Sequence, residues 1–363
     1  VAPQYRIVIK TAAGVKVADV TDFLSLGYTK QVDAPGLCQF VLDGNHAAIS
    51  LLELDGQIEV YRRDVAHGIS WYIDFYGLYR GTEQWRGTDK LERFKAFCPG
   101  QMSWLGRRNV LYYAGTANRS EFVNASAETV MKTLVTYNAT SSATTGNSRL
   151  RNGAITGISV QADAAGGNTI SWSCAYKNLL EQLQAIVNIA GGDFDLVKTG
   201  AQTWEFRFYS GQLGTDRSST VTFALEYGNM DQPMYRYLRT TEKTVAVVGG
   251  QDQAANRAVV TRTGPAYSAA NDIELFVDGR NDDTTAKLNA RGDEALDRAM
   301  ARNQFNYKVL QTPSTLYGLH YFLGDLVKAT YKTVSVTQQV YAVSVSFDSS
   351  DAKEIIDVEM RDL

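Results

Sequence analysis

The sequence predicts a mainly β protein with α/β insertions, an α+β chain. Apolar residues alternate with polar ones in short runs closed by glycine turns, the pattern of half-buried strands. Three stretches switch instead to the three-and-four spacing of an amphipathic helix. A run near the start, Asp55–Arg62, is echoed near the end by Leu323–Tyr331: each sets a glycine turn before an apolar strand, and a second long strand follows after a polar connector. The echo implies two similar β modules separated by an inserted α/β region.

The first hundred residues read as strands. Tyr5, Ile7 and Ile9 alternate with Arg6 and Lys10, and Ala13-Gly14 turns the chain. Leu37–Leu42 follows Pro35-Gly36 and stops at Asp43-Gly44, and Gln57–Arg62 puts Ile58 and Val60 on one face. Trp71–Arg80 sets Trp71, Ile73, Phe75, Gly77 and Tyr79 against Tyr72, Asp74, Tyr76, Leu78 and Arg80, so it is aromatic on both faces. Short strands at close spacing suit a small barrel or sandwich, and the doubly aromatic strand suits burial on both sides or an interface.

Beyond Arg107-Arg108 the pattern becomes mixed. Ser126 is placed to cap a helix whose stripe is Val130, Met131, Leu134 and Val135, ending near Asn138. A polar loop, Thr140–Asn147, leads to strands at Gly157–Val160 and Thr169–Trp172. Asn178 with Glu181 resembles a capping arrangement for Leu179, Leu183, Ile186, Val187 and Ala190, and Gly191-Gly192 ends that helix. Trp204–Phe208 returns to strand. Further strands occupy 219–250, and 251–283 is polar apart from Ile273–Val277. Asp283 is placed to cap a helix with Leu288, Gly292, Leu296, Ala299 and Met300 on one face. Gly292 costs that helix about 1 kcal/mol relative to Ala, which predicts close packing there. The chain closes with a hairpin: Tyr341–Phe347, a turn at Ser349-Ser350-Asp351, then Ile356, Val358 and Met360 opposite Asp357 and Glu359.

With 363 residues, 44% of them hydrophobic, the chain can bury a sizeable core over two or three domains. Its 20 Tyr, 14 Phe and 5 Trp against only 6 Pro exclude a disordered chain. The 36 basic and 39 acidic residues give a net charge of -3 without long single-sign runs, so sequence-specific nucleic-acid binding is not expected. No apolar stretch reaches the roughly 18 residues of a membrane span, and Val1–Arg6 enters a strand pattern without a signal-peptide layout.

Cys38, Cys98 and Cys174 are too dispersed for a metal or redox motif and read as buried small side chains made in a reducing cytoplasm. His46, His67 and His320 form no metal-ligand spacing and read as turn or surface residues. There is no G-x-S-x-G, no P-loop and no dinucleotide fingerprint; Val248-Gly249-Gly250-Gln251 lacks the later glycine and lysine. Asp278–Asp283 gathers three carboxylates without a calcium-loop layout and reads as a solvated loop before a helix. Two acids placed for glycoside hydrolysis are assembled in space, with Asp74 and Glu83 the first suspects. Arg62-Arg63, Arg107-Arg108 and Arg149 with Arg151 read as surface salt bridges or subunit contacts. No catalytic, cofactor or metal residue is therefore assigned, and no cofactor is expected.

One ordered series of motifs goes further. Tyr5–Ile9 is followed by Val32-Asp33-Ala34-Pro35-Gly36 entering a strand, Ile58–Arg63, Phe75–Arg80 and Ser103-Trp104-Leu105-Gly106-Arg107-Arg108-Asn109-Val110-Leu111-Tyr112. The helix Ala127–Asn138, the helix opening at Asn178-Leu179-Leu180, Gly211–Arg217, Val247–Gly250 with Arg257, and Leu323–Val327 continue it. This progression, spanning nearly the whole chain, resembles the tail-hub (baseplate-hub) proteins of long-tailed bacteriophages, in particular of siphophages.

The resemblance implies two similar β-barrel modules and two inserted domains. Module one would be 1–112 and an α/β insertion 113–204. Module two would combine 205–250 with 312–363, and 251–311 would be a helix-containing insertion. It also implies a non-enzymatic virion component, assembled in the host cytoplasm and located at the phage tail tip. As a homotrimeric ring it would join the tail tube protein or distal tail protein to a central tail fibre or spike, meet the tape-measure protein, and let DNA pass during ejection. Surplus aromatics such as Trp71, Tyr76 and Tyr79 would be contact residues. Unlike larger tail-tip proteins, the sequence ends at Leu363 with no fibre, lysozyme or peptidase extension, so added activity is not expected. The alternatives are a tail-associated carbohydrate-binding or glycan-hydrolysing β protein, and a hub from a related non-viral injection machine.

Overall fold

A computed structural model describes residues 2–113, 115–116, 118–252, 256–280 and 284–363. The chain is mainly β with α/β parts, and it divides into two compact units: Val1–Asp231 with Lys308–Arg361, and Gln232–Tyr307.

The first unit opens with eight strands: β1 (Gln4–Lys10), β2 (Lys16–Val20), β3 (Ser25–Gln31), β4 (Ala34–Asp43), β5 (Gln57–Asp64), β6 (Ile69–Leu78), β7 (Gly81–Arg86) and β8 (Glu92–Pro99). One sheet runs β2-β1-β5-β6, while β3, β4, β8 and β7 lie side by side in another. Tyr5, Ile7, Ile9, Cys38, Phe40, Leu42, Ile58 and Val60 are all buried, as their alternation predicts.

Strand β6 departs from strict alternation. Val60 lies opposite Phe75 and Tyr61 opposite Ile73, which leaves Asp74 as the extra residue of a bulge. The insertion resets the pleat, so Asp74 and Phe75 are both buried, although they are sequence neighbours. The even division of Trp71–Arg80 into two faces therefore fails.

The mixed block keeps both expected helices and the expected strands, and adds strands the sequence reading did not place at Arg119–Ser126 and Asp193–Gly200. It comprises β9 (Gly115–Thr116), β10 (Arg119–Ser126), α1 (Ala127–Ala139), β11 (Ile158–Val160), β12 (Thr169–Cys174), α2 (Leu179–Ala190), β13 (Asp193–Gly200) and β14 (Thr203–Tyr209). Two three-stranded sheets, β12-β10-β9 and β11-β14-β13, share one core with both helices. Ser126 Oγ accepts from Thr129 N at 3.2 Å, and Asn178 Oδ1 accepts from Glu181 N at 3.4 Å, so both expected caps form.

The later elements are β15 (Thr222–Ala224), β16 (Met230–Leu238), β17 (Val245–Gly249), β18 (Val259–Thr263), β19 (Glu274–Asp278), α3 (Thr285–Ala299), β20 (Arg302–Val309), β21 (Leu326–Tyr331), β22 (Val334–Asp348) and β23 (Lys353–Asp362). Strand β22 is long enough to serve two neighbours. Its first six residues pair with β21, and Ala342–Asp348 pair with Gln31–Ser25 of β3. A continuous sheet results, β15-β21-β22-β3-β4-β8-β7 with β23 also on β22. Both echoed segments form hairpins, β5–β6 and β21–β22, in different sheets.

In the second unit β18-β17-β19 form a sheet whose Ala246 and Val248 pack on Leu288 and Leu296 of α3. Gly292 does mark close packing: a Cβ there would stand 2.7 Å from Arg262 Cγ and 2.9 Å from Val248 Cγ2. Thr284 caps the helix, its side chain accepting from Lys287 N at 3.4 Å. Asp283, the expected cap, lies outside the described residues.

Candidate functional site

Three buried polar ties hold distant segments of the first unit together, and the first contains a suspected catalytic acid. The Asp74 side chain is 1% exposed. Its carboxylate accepts from the Tyr28 hydroxyl at 2.5 Å and the Tyr317 hydroxyl at 2.7 Å, and it pairs with the Lys30 ammonium. Burial pushes the carboxyl up, but the Lys30 charge and the three hydrogen bonds outweigh it and hold Asp74 below its ordinary range. Next to it, Arg62 forks onto Glu354 at 2.8 and 3.0 Å and donates to Tyr5 Oη at 3.0 Å and to the Tyr317 carbonyl at 3.4 Å. Arg62 is 2% exposed, so it is a buried structural partner and not the expected surface contact.

The second tie is an acid pair. Asp33 Oδ1 accepts from Phe194 N, and Asp193 Oδ2 accepts from Leu213 N, both at 2.7 Å. Gln339 Nε2 reaches Asp193 at 2.5 Å, while Arg361 spans the pair, 2.7 Å from Asp193 and 3.7 Å from Asp33. Burial, reinforced by the Asp193 charge, pushes the Asp33 carboxyl well up.

The third tie fastens the first sheet to the mixed block. Glu59, 2% exposed, takes Lys10 at 2.6 Å and Lys198 at 3.0 Å. Gln57 donates to the Ala201 carbonyl at 2.7 Å. Asp74 and Arg62 stand out in the sequence, but the ties themselves do not; Asp33 lies in the Val32–Gly36 turn and Asp193 follows the glycine stop of α2.

The remaining singled-out residues fall as follows. Glu83 is exposed on β7, in a different sheet from buried Asp74, so the fold does not present the two suspects as an open acid pair. Arg6 and Arg63 lie over Trp71 at 5.0 and 4.7 Å, and the Lys198 ammonium is 5.3 Å from the Tyr76 ring. Tyr79 is half-buried, its backbone bonded to Asp55 and Gly56. The histidines serve local turns: His46 Nδ1 accepts from Ala48 N at 3.1 Å, His67 meets Asp64 at 2.6 Å, and His320 Nδ1 accepts from Leu316 N at 2.9 Å. All three cysteines are buried and free, and Cys38 faces Cys98 across β4 and β8. Burial pushes both of those thiols up. Asp278 is paired with Arg257 and Arg280, while Asn281–Asp283 lie outside the described residues.

Exposed apolar side chains are scattered over the chain, and four of them lie close together on one ribbon. Strands β16 and β20 form a two-stranded sheet, and along β16 Met234, Tyr235, Tyr237 and Leu238 are 39%, 37%, 56% and 42% exposed. Two-stranded ribbons carry unpaired edges, and exposed aromatics beside such an edge are the usual currency of subunit contact. Among the described residues no group of His, Cys, Asp and Glu is placed to hold a metal ion, and no helix is long and apolar enough to cross a membrane.

Comparison with known proteins agrees with this architecture. The model of the Siphovirus ReqiPepy6 Gp37-like protein family matches residues 14–357. Among solved structures, a 43 kDa tail protein of prophage MuSo2 from Shewanella oneidensis superposes with a TM-score of 0.58 at 11% identity, over 99% of this chain and 98% of that one. A tail protein from Neisseria meningitidis MC58 gives 0.56 at 8% identity, over 99% and 97%. Prophage tail protein gp18 from Listeria monocytogenes gives 0.56 at 9% identity, over 98% and 94%. At such identities the shared property is the fold. No curated protein matches by sequence.

Proposed function

Because the chain belongs to the Siphovirus ReqiPepy6 Gp37-like protein family, we propose that it is a structural subunit of a phage tail tip, a baseplate hub in which three copies close into a ring. The ring joins the tail tube or distal tail protein to the central fibre or spike, meets the tape-measure protein, and lets DNA pass at ejection. The subunit is made in the host cytoplasm and carried in the virion. The observation that carries this reading is the end-to-end likeness of fold: whole tail proteins are matched over 97% and 98% of their length.

The physical case is one of symmetry. Two similar β-barrel modules per chain, 1–112 and 205–250 with 312–363, give a trimer six similar surfaces, enough to join a six-fold tube to a three-fold tip. The segments 113–204 and 251–311 are then the insertions. A net charge of -3 suits a wall past which DNA must slide without binding. The exposed Met234, Tyr235, Tyr237 and Leu238 supply the apolar contact that Trp71 and Tyr76, engaged by charged side chains of their own chain, do not.

Electron microscopy of tail tips carrying a label on this chain tests the reading. Label at the tip in three-fold arrangement is expected, and label along fibres or on the capsid would overturn it. Light scattering should give three copies, reduced to one by Tyr237→Glu with Leu238→Glu. Hydrolysis of cell-wall glycans that is lost in Glu83→Ala would favour the enzymatic alternative.

A further inference from the structure

Arg107 and Arg108 are neighbours with opposite fates. Arg107 forks onto Asp55 at 2.6 and 2.9 Å and lies 4.0 Å over the Trp104 ring. Among the described residues Arg108 meets neutral oxygens alone: the Gly153 carbonyl at 2.6 Å, the Arg107 carbonyl at 3.1 Å and the Ala154 carbonyl at 3.3 Å. Arg149, 4% exposed, is likewise held without an acid, by Asn138 Oδ1 and the Asn109 carbonyl at 3.3 Å each and by the Arg151 carbonyl. A Cβ at residue 153 would lie 2.4 Å from Arg149 Cζ, so glycine there leaves room for the guanidinium.

Backbone hydrogen bonds bring further cations to the same place. Segment 108–113 is bonded on one side to 148–150, through Tyr113 N to the Ser148 carbonyl and Leu150 N to the Leu111 carbonyl, both 3.0 Å. On its other side Tyr176 N reaches the Val110 carbonyl and Val110 N the Lys177 carbonyl, both 2.8 Å. Arg151 and Lys177 are exposed on these flanking segments. Among the described residues no carboxylate forms an ion pair with Arg108, Arg149, Arg151 or Lys177. Burial and mutual repulsion accordingly depress the Arg108 and Arg149 guanidinium pKa values. Beside the cations stand Leu150, 58% exposed, and Tyr176, 53% exposed and fixed at a left-handed φ of 60°. A non-glycine residue held there stores strain of the kind that accumulates at binding sites.

We propose that Arg151 and Lys177, with Leu150 and Tyr176, form a docking surface for a partner protein segment that carries carboxylates next to an apolar side chain, the unpaired charges of Arg108 and Arg149 lying behind it. Charge complementarity is the reason: excess positive charge held against its own repulsion is relieved by an acidic partner. A nucleic acid fits less well. Arg108 and Arg149 both donate to the protein's own oxygens, which leaves Arg151 and Lys177 as the exposed cations of this surface, too few to track a row of phosphates. The exposed leucine also calls for an apolar contact. The inference does not rest on the tail-tip reading.

Fluorescence anisotropy with the full chain and a short labelled peptide alternating Glu and Leu tests it. Saturable binding that weakens with added salt is expected. Arg151→Glu with Lys177→Glu should weaken it about tenfold or more while leaving the melting temperature unchanged, since both residues are exposed. Leu150→Ser should weaken it while keeping the salt dependence. Three outcomes would overturn the proposal: no saturable binding of the peptide, equal affinity for the charge-reversed chain, or tighter binding of an oligothymidine of equal length.

Discussion

Asp74→Ala should be among the most destabilising single changes in this protein, although the sequence marks Asp74 as a suspected catalytic acid on an aromatic strand and not as a buried tie. The substitution strands three groups together. Lys30, whose side chain is 21% exposed, loses its counter-ion, and the hydroxyls of Tyr28 and Tyr317 lose their acceptor. Breaking one partner of a buried ion pair costs about 3–5 kcal/mol, and each buried hydroxyl left without an acceptor adds about 1–3 kcal/mol. The terms overlap, because one carboxylate satisfies all three groups, so a loss of about 4–6 kcal/mol is expected. At about 2 °C per kcal/mol for a large unit, the melting transition should fall by roughly 8–12 °C. Differential scanning calorimetry at neutral pH reads this directly, with exposed Glu83→Ala as the control, expected within about 0.5 kcal/mol of the parent. The pH dependence supplies a second test. Asp74 titrates below its ordinary 3.8 in the folded state, so its stabilisation is present above that pH and is lost as pH falls through the lower folded value. The gap between parent and Asp74→Asn should therefore close in acid. A shift in Asp74→Ala no larger than in Glu83→Ala, or a gap that widens in acid, would refute the reasoning.

The Asp33 carboxyl has the opposite sign. Raised from 3.8 to about 8, it costs stability progressively as pH climbs between those values, because the unfolded chain releases the proton first. Asp33→Asn should flatten the fall in melting temperature across that window, as calorimetry at stepped pH would show; an unchanged slope would count against the acid pair. Gly292→Ala, which by helix propensity alone should gain about 1 kcal/mol, should instead lose about 1–3 kcal/mol by overpacking, since the new methyl meets Arg262 and Val248. Hydrogen exchange confined to residues 244–299 would reveal the loosening. Lys198→Ala should release the mixed block from the first sheet, leaving the Glu59 carboxylate with Lys10 and the Tyr61 hydroxyl, and limited proteolysis after Gly200 should speed up.

Much of the secondary structure could be read from local chemistry. The caps at Ser126 and Asn178 depend only on a side chain reaching a backbone N–H three residues on, so the sequence contains the whole interaction. Gly292 was legible for a similar reason: a glycine in the middle of an otherwise regular apolar face needs a neighbour that excludes a side chain. Strand β10 was not legible, because Arg119–Ser126 is mostly polar and half-exposed and alternates poorly. The ties were hidden by distance along the chain. Asp193 finds Gln339 146 positions away and Arg361 168 positions away, and no local pattern encodes a partner so remote. The exposed ribbon was also missed: Met230–Leu238 reads as one more strand until the fold leaves it with a single neighbour.

The sequence by itself determined what short-range forces decide: which segments are strands or helices for most of the chain, and where two of the helices begin. Only the tertiary structure decided how those pieces share space. It joined β22 to β3, so that strands from both ends of the chain form one sheet. It inserted a bulge at Asp74, turning a half-exposed carboxylate into a buried one. It gave Arg107 an acid and Arg108 none. The reason is physical: hydrophobic periodicity and capping are settled within a few residues, whereas the solvation and pairing of a charge depend on whatever the topology brings beside it.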